Sequence, residues 1–528
     1  MMKTTLWHKV PDGYYGKLAT QWLNNNTSLS VIYPTSEKDI QEIIGGYSAF
    51  STDQRSILVD CLQNQYGNLI QDMAVAENIE ALKSSNTFTV TTGQQIHIFL
   101  GPAFVAYKIW SVIRHARRLQ SQFPQYRFVP VFWMASEDHD LAEINHVGVF
   151  GKSFTWEKEA GGPVGRLSPA GIAEIAQEIE GLIGNGEEAK QLLQVFREAY
   201  SKGKTLSEAT RIIIDYFFGK EGLVVIDPDD ATLKVQLKDL ALKDCFSDEI
   251  FDTLSTTTQE LKKMGHPAQV NPRKTHFFLY ENGLRCRIDK ADTSFMLHPS
   301  DKSIGEAELR GTIRDNPALL SPNALMRPVY QQLILPNVAY VCGPAELHYW
   351  HQLYPLFKQA NTVAPVLFLR DSFTIVQPKE QEMINDLGIN EEEYWLGFEH
   401  TANTLDNLLQ ANHAISDKII EMQGELEVLY ASLYSMKSPN LSEVKKSGDI
   451  LLNNLRKANN NYLENLRSNP ANAHRYSRLN KLSTQLFSIK NPQERRFSLL
   501  EYLLKYPDLL NYSSSMESKK HCFGKITV

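Results

Sequence analysis

Five short apolar runs, each ending at once in glycine or polar residues, constrain the fold of this 528-residue chain more than any other feature. They are TFTVTTGQQ (Thr87 to Gln95), RFVPVFWMASEDHD (Arg127 to Asp140), GLVVIDPDD (Gly222 to Asp230), NVAYVCGPAE (Asn337 to Glu346) and APVLFLRDS (Ala364 to Ser372). Unbroken runs of β-branched and aromatic residues, rather than alternation, suit strands covered on both faces. Helix-like stretches lie between them, Phe104 to Gln122 and Ala345 to Ala360 among them. The order therefore reads βαβ and predicts an α/β core around a parallel sheet. Ligands of such sheets bind outside the carboxyl ends of the strands, which is where each polar cluster falls, so several loops are expected to build one composite site.

Other segments break this pattern. Gly171 to Lys220 is helical and charged, and Pro272 to Pro299 (with THFFLYENGLRCRID) reads as short strands and turns, so insertions are expected at about 151–220 and 265–325. After Gln377, Leu405, Leu408, Asn412, Ile415, Ile419, Met422, Leu426, Leu429, Leu433 and Met436 alternate spacings of three and four, a heptad seam with Asn412 as its one polar member. SPNLS breaks the seam, a looser one follows through Leu441, Val444, Leu451, Leu455, Tyr462 and Leu466, and SNPA precedes a shorter segment, Arg475 to Ile489. The expected division is a core over 1–376, a helical coiled coil over 377–490 and a tail over 491–528 that returns to the core. A long helical hairpin can pair within one chain or with a second copy.

Charge and cysteine usage narrow the function. A net charge of −7, with Lys and Arg spread throughout, offers no basic stripe for a phosphate backbone, so no nucleic acid partner is expected. No window approaches the roughly 18 consecutive apolar residues of a membrane span, and the first residues lack a signal-peptide run, which points to a cytoplasmic protein without a membrane partner. Five cysteines lie far apart without Cys/His ligand spacing, so neither a zinc site nor a disulfide framework is expected.

Three loops carry the candidate chemistry. Thr92, Gly93, Gln94 and Gln95 follow a strand, where exposed N–H groups favour phosphate or carboxylate, although a tight turn needing glycine explains the pattern equally. Glu137, Asp138, His139 and Asp140 crowd four titratable groups together, extended by Glu143, Asn145 and His146. Repulsion between neighbouring carboxylates can raise one pKa for acid/base work. The same residues also suit a charged helix start. Adjacent side chains point apart, so at most two could share a cation, and no metal site is expected. CGPAE places Gly343 and Glu346 at another strand-to-helix turn. Cys342, in an apolar run, is expected to be a buried inert thiol, and His97 a packed or solvated ring.

At these loops the sequence resembles the BshC family, the cysteine ligases of bacillithiol biosynthesis. The matching segments are VTTGQQ then FLGP, VPVFWMASEDHDLAEINH, RPVYQQLILPNVAYVCGPAELHYW and NPQERRFS (Asn491 to Ser498). They occur in the family's order across most of the chain. The resemblance implies a Rossmann-like core related to class I synthetase and nucleotidyltransferase domains, with connecting insertions and a C-terminal coiled coil that makes a homodimer. It implies a ligase that joins the carboxyl group of cysteine to the amine of glucosaminyl-malate, the last step in making bacillithiol. Within it, Thr92 to Gln95 would cradle an anionic group, and Glu137, Asn145, Gly343 and Glu346 would contact substrate. Asp138, His139 and Asp140 would be catalytic, with His139 or Asp140 taking the amine proton. Activation of the carboxylate implies ATP or ADP with Mg2+, although clear HIGH and KMSKS motifs are absent. Arg370, Asp371 and Ser372, together with Arg478 and Lys481, are the candidates for the nucleotide. A nucleotide-sugar glycosyltransferase and a non-catalytic assembly protein of thiol synthesis are the alternative readings.

Overall fold

The computed structural model describes every residue except 1, 8–9, 12, 25–26, 48–49, 70–71, 160, 184–185, 389–401, 403–412, 435–440, 487–490, 507 and 510–520. The chain divides into two units, one of residues 8–373 with 494–524 and one of residues 1–7, 374–493 and 525–528.

In the larger unit the five apolar runs form one sheet: β1 (Thr87–Gln94), β2 (Arg127–Met134), β3 (Val224–Ile226), β4 (Asn337–Cys342) and β5 (Val366–Leu369). Their spatial order is β5, β4, β1, β2, β3, and every neighbouring pair is parallel. The chain builds outward from β1 to β3 on one side, then returns to add β4 and β5 on the other. The order therefore reverses between β1 and β4, the position where open α/β sheets leave a crevice. Strands β1 and β2 stay in register from Thr87 opposite Arg127 to Gln94 opposite Met134. The threonines within β1 are fully buried, and the side-chain oxygen of Asn337 accepts from Thr91 at 2.7 Å and Thr89 at 3.2 Å, so the polar groups inside the sheet are satisfied.

Helix α1 (Ala103–Gln122) is buried along most of its length and packs on the sheet. It carries basic residues into the interior, each with a partner: Arg114 makes two bonds to Asp371, at 3.0 and 2.8 Å, and Arg118 meets Glu37 at 2.6 Å. The turn before α1 needs Gly101. Its φ is +62°, and a Cβ there would lie 2.4 Å from the Cβ of His97. The stretch expected as one helix over 345–360 is two, α3 (Pro344–Trp350) and a second over Tyr354–Gln359, while α2 (Arg327–Ile334) precedes β4.

The charged stretch after Gly171 forms helices Ile172–Ile183, Glu187–Ala199 and Leu206–Phe218. Strands Phe277–Glu281, Leu284–Lys290, Ser294–His298, Lys302–Gly305 and Leu320–Pro322 form a separate antiparallel sheet. In the same unit Ser498 N–H donates to Gly148 O at 2.9 Å, and Ala103 N–H to Phe497 O at 2.8 Å.

The smaller unit holds helices Pro378–Leu387, His413–Tyr434, Leu441–Ser468 and Pro470–Leu486. Val376, Ile384, Leu387, Tyr476, Leu479, Leu482 and Leu486 share a core there. Of the heptad seam, Leu405, Leu408, Asn412 and Met436 lie outside the described residues.

Candidate active site

At the reversal of strand order lies a cavity of about 570 Å³. Gly93, Gln94 and Gln95 line it from the end of β1, Glu137 and Asp138 from the end of β2, and Gly343 and Glu346 from the start of α3. Each segment leaves a buried strand and turns, so its polar groups emerge together at one edge of the sheet.

One wall is a fixed ion pair. The Lys108 ammonium reaches from α1 to Gly93 O at 2.8 Å, Gln94 Oε1 at 2.8 Å and the Glu346 carboxylate. Glu346 also accepts from Tyr340 OH at 2.7 Å and from Gly343 N–H at 2.8 Å. Burial alone would raise the Glu346 carboxyl. The Lys108 and Arg327 charges and these hydrogen bonds outweigh burial and hold it below the usual carboxylate range.

The facing wall is not so fixed. Glu137 is buried against Lys234, 2.9 Å away, but the same ammonium lies 2.5 Å from Asp229. Burial, with the nearby Asp229 charge and only partly offset by Lys234, pushes the Glu137 carboxyl up to about 7. Next to it, Asp138 accepts from Gln95 Nε2 at 2.7 Å and Arg285 at 3.1 Å. Burial would raise its carboxyl, yet the His139 ring, the Arg285 guanidinium and the hydrogen bonds hold it well below the usual range. Glu143, also on the cavity wall, is raised by burial and by the charges of Asp138 and Asp140.

One carboxyl group raised toward neutrality stands beside one held ionised, in a cavity large enough for a small molecule, so the site can take up a proton next to a fixed negative charge. A family profile described as "Bacillithiol biosynthesis BshC, N-terminal Rossmann-like domain" matches residues 6–371. A protein of Flavobacterium johnsoniae named "Putative cysteine ligase BshC" is 32% identical over 505 residues, 93% of this chain and 93% of its own. The chain belongs to the BshC family. A relative of the same name from Christiangramia forsetii is 31% identical over 518 residues, 94% of each chain. Among solved structures, one titled a putative arginyl-tRNA synthetase from Campylobacter jejuni is 10% identical. It covers 89% of this chain and 98% of its own at a TM-score of 0.22, too low to carry an argument.

In this BshC chain the residues singled out from sequence separate into groups. Gly93, Gln94, Gln95, Glu137, Asp138, Gly343, Glu346 and Arg370 line the cavity, whereas Thr92, His139, Asp140 and Asn145 do not. Thr92 is fully buried and donates to Val341 O at 2.8 Å, a bond within the sheet. Asp140 caps helix Leu141–Ile144, accepting from Glu143 N–H at 3.3 Å. The half-exposed His139 ring sits 3.3 Å from Asp138, and Asn145 Nδ2 donates to Trp156 O at 3.3 Å. Cys342 is fully buried, and burial pushes its thiol up. His97 is buried too, its ring pushed down to about 4 by burial and by the His146 and Lys108 charges.

Asp371 and Ser372 are buried, bound to Arg114 and to Tyr15 OH at 2.7 Å respectively, and Arg370 pairs with Glu494 at 2.6 Å. Arg478 and Lys481 belong to the helical unit, where Arg478 pairs with Asp386 at 2.7 Å. Among the described residues no group of three or more His, Cys, Asp or Glu could hold a metal ion, and no helix is long and apolar enough to cross a membrane.

Sequence reasoning passed over Lys108, Lys234, Arg285 and Arg327. Lys108 carried a signal, a lone charge inside FVAYKIWSVI. Such a residue on an apolar helix face must find a partner or remain in water.

Proposed function

We propose that this protein is a cysteine ligase of bacillithiol biosynthesis, which joins the carboxyl carbon of L-cysteine to the amine of glucosaminyl-malate. What supports this most is membership of the BshC family along nearly the whole chain, together with a cavity at the strand reversal whose walls carry Glu137 and Asp138. In the reaction the amine nitrogen attacks the carboxyl carbon, a C–N bond forms and the nitrogen loses a proton, while a C–O bond breaks and its oxygen departs with the bonding pair, leaving overall as one water.

Glu137 takes that proton, because a base works best when its pKa lies near the working pH. Asp138 stays ionised and orients the amine. His139 supports Asp138, and Asp140 sets the helix that follows. Gln94, Gln95, Gly93 and Glu346 frame the substrate, while Thr92 and Asn145 hold the backbone behind them.

ATP with Mg2+ is the co-reactant that the resemblance implies. The Arg370 to Ser372 set does not fit a phosphate group: Arg370 is engaged by Glu494, Ser372 and Asp371 O, and Asp371 by Arg114 and Cys522 N–H. No step of this mechanism runs through the nucleotide.

A homodimer through the helices after 413 belongs to the same proposal. Met422, Leu429, Val444 and Leu451 are exposed on the single chain, and light scattering should give the mass of two chains. A cytoplasmic site of action is consistent with five free, buried cysteines. The test of the ligase is purified protein with cysteine and glucosaminyl-malate, with and without ATP and Mg2+, followed by mass spectrometry. A product equal to the two substrates less one water supports it; absence of that product under every condition overturns it.

A further inference from the structure

The cavity wall is charged in both senses, with the carboxylates Glu137, Asp138, Glu143 and Glu346 on it. Five cations line it: Lys108, Arg285, Arg327, Arg370 and Arg495. Three have carboxylate partners, Lys108 with Glu346, Arg285 with Asp138 and Arg370 with Glu494. Among the described residues no carboxylate lies within 4.0 Å of the Arg327 or Arg495 side-chain nitrogens.

Arg327 makes its hydrogen bonds to neutral groups, and the Glu346 charge acts on it from beyond ion-pair distance. Its guanidinium donates to Gln331 Oε1 at 3.3 Å, Tyr340 OH at 3.2 Å and Tyr349 OH at 3.5 Å, all long bonds. It also lies 5.4 Å from the centre of the Tyr340 ring and 5.9 Å from that of Trp133. The nearest carboxylate along this chain of bonds, Glu346, is already occupied by Lys108, Tyr340 and Gly343. A guanidinium whose nearest carboxylate is already shared with a lysine is incompletely matched, and a ligand carboxylate in direct contact completes the match. Gly93 keeps the approach open, since a Cβ there would lie 3.1 Å from Tyr340 OH and 3.4 Å from the Arg327 guanidinium.

We propose that Arg327 and Arg495 bind a dicarboxylate, the malyl end of the amino-sugar substrate, each guanidinium taking one carboxylate. The proposal rests on the ligase reading for the identity of that substrate. Guanidinium suits this role because its planar N–H fork matches a carboxylate with two parallel bonds. Two guanidinium groups on one cavity wall, neither with a carboxylate in direct contact, suit two carboxylates better than the single carboxylate of cysteine, whose ammonium group would add a positive charge.

Calorimetry on the full-length protein tests this without turnover. The probes are glucosaminyl-malate, methyl glucosaminide (which lacks the malyl group), L-cysteine and ADP, against wild type, Arg327→Gln, Arg327→Lys and Arg495→Gln. Glucosaminyl-malate should bind wild type more tightly than methyl glucosaminide, and each Gln variant should lose about tenfold or more for glucosaminyl-malate, with cysteine and ADP unchanged. Arg327→Lys should recover only part of the loss, because an ammonium keeps the charge without the fork.

Equal binding of glucosaminyl-malate and methyl glucosaminide by wild type would overturn the proposal. So would a loss that falls on cysteine or on ADP. If Arg327→Gln fails to fold, the exposed Arg495→Gln and the comparison of the two glucosides in wild type still decide. Malyl-dependent binding without any ligase product would retain the site and sink the ligase reading; product with malyl-independent affinity would do the reverse.

Discussion

Two glutamates in this molecule stand beyond the ends of the strands on either side of β1, each buried against a lysine, and they behave in opposite ways. Glu346, after β4, is held below the ordinary carboxylate range; Glu137, after β2, is pushed up to about 7. Burial opposes ionisation in both. The difference is in how many groups share the cation. Among the described residues Lys108 pairs with no carboxylate but Glu346, and Tyr340 and Gly343 N–H add support. Lys234 is divided between Glu137 and Asp229, and the second carboxylate raises the first. A buried acid–base pair is therefore a fixed strut or a titratable group according to its other neighbours.

The largest expected effect breaks the comparison at Glu137. Glu137→Gln keeps the shape and removes the proton acceptor, so kcat should fall by about 10²- to 10⁴-fold. In wild type the ionised fraction rises with pH, so activity should climb about tenfold per pH unit until pH reaches about 7 and then level off. The variant should lose that limb, and a retained limb would remove Glu137 from the role. The linkage runs in the same sense. The folded state holds this proton more tightly than the unfolded chain, so the group's stabilising contribution is complete below about pH 4.3. It is lost as pH rises through about 7.

Next in size is Lys108→Met, which leaves Glu346 buried without its cation. Removing one partner of a buried pair costs about 3–5 kcal/mol, and urea unfolding at pH 7 measures it. A loss within about 0.5 kcal/mol, the usual scale of an ordinary surface substitution, would mean that Glu346 is no strut.

How much of this was legible in the sequence follows from distance along the chain. The five apolar runs announced all five strands, because burial on both faces leaves a local signature. The strand ends at Gly93, Asp138 and Gly343 followed from the same rule. The charge pairs did not: Lys108 meets a residue 238 positions away, and Arg285 one 147 away. Nor could the string EDHD show that Glu137 turns inward to Lys234 while Asp140 stays exposed, since that depends on how the loop leaves β2.

A third prediction concerns Asp138, whose charge is fixed by Arg285, Gln95 and His139. Asp138→Asn should lower kcat/KM by about tenfold to a hundredfold, the range of one hydrogen bond to a charged group, while leaving the pH limb in place. Loss of the limb in this variant, with the limb surviving in Glu137→Gln, would exchange the two roles.

The smallest effect belongs to Asp140, and it separates a carboxylate that caps from one that reacts. Asp140 accepts from Glu143 N–H at the start of a four-residue helix, and asparagine caps nearly as well as aspartate. Asp140→Asn should therefore retain both stability and turnover, because the capping oxygen stays and only the charge goes. Asp140→Ala removes the oxygen and should cost about 1 kcal/mol in urea unfolding, with turnover lowered no further than the displaced loop requires. If the asparagine variant instead loses activity as deeply as Glu137→Gln, the charge at 140 takes part in proton transfer. The contrast between the titratable and the fixed carboxylate would then extend to the whole of the 137–140 loop.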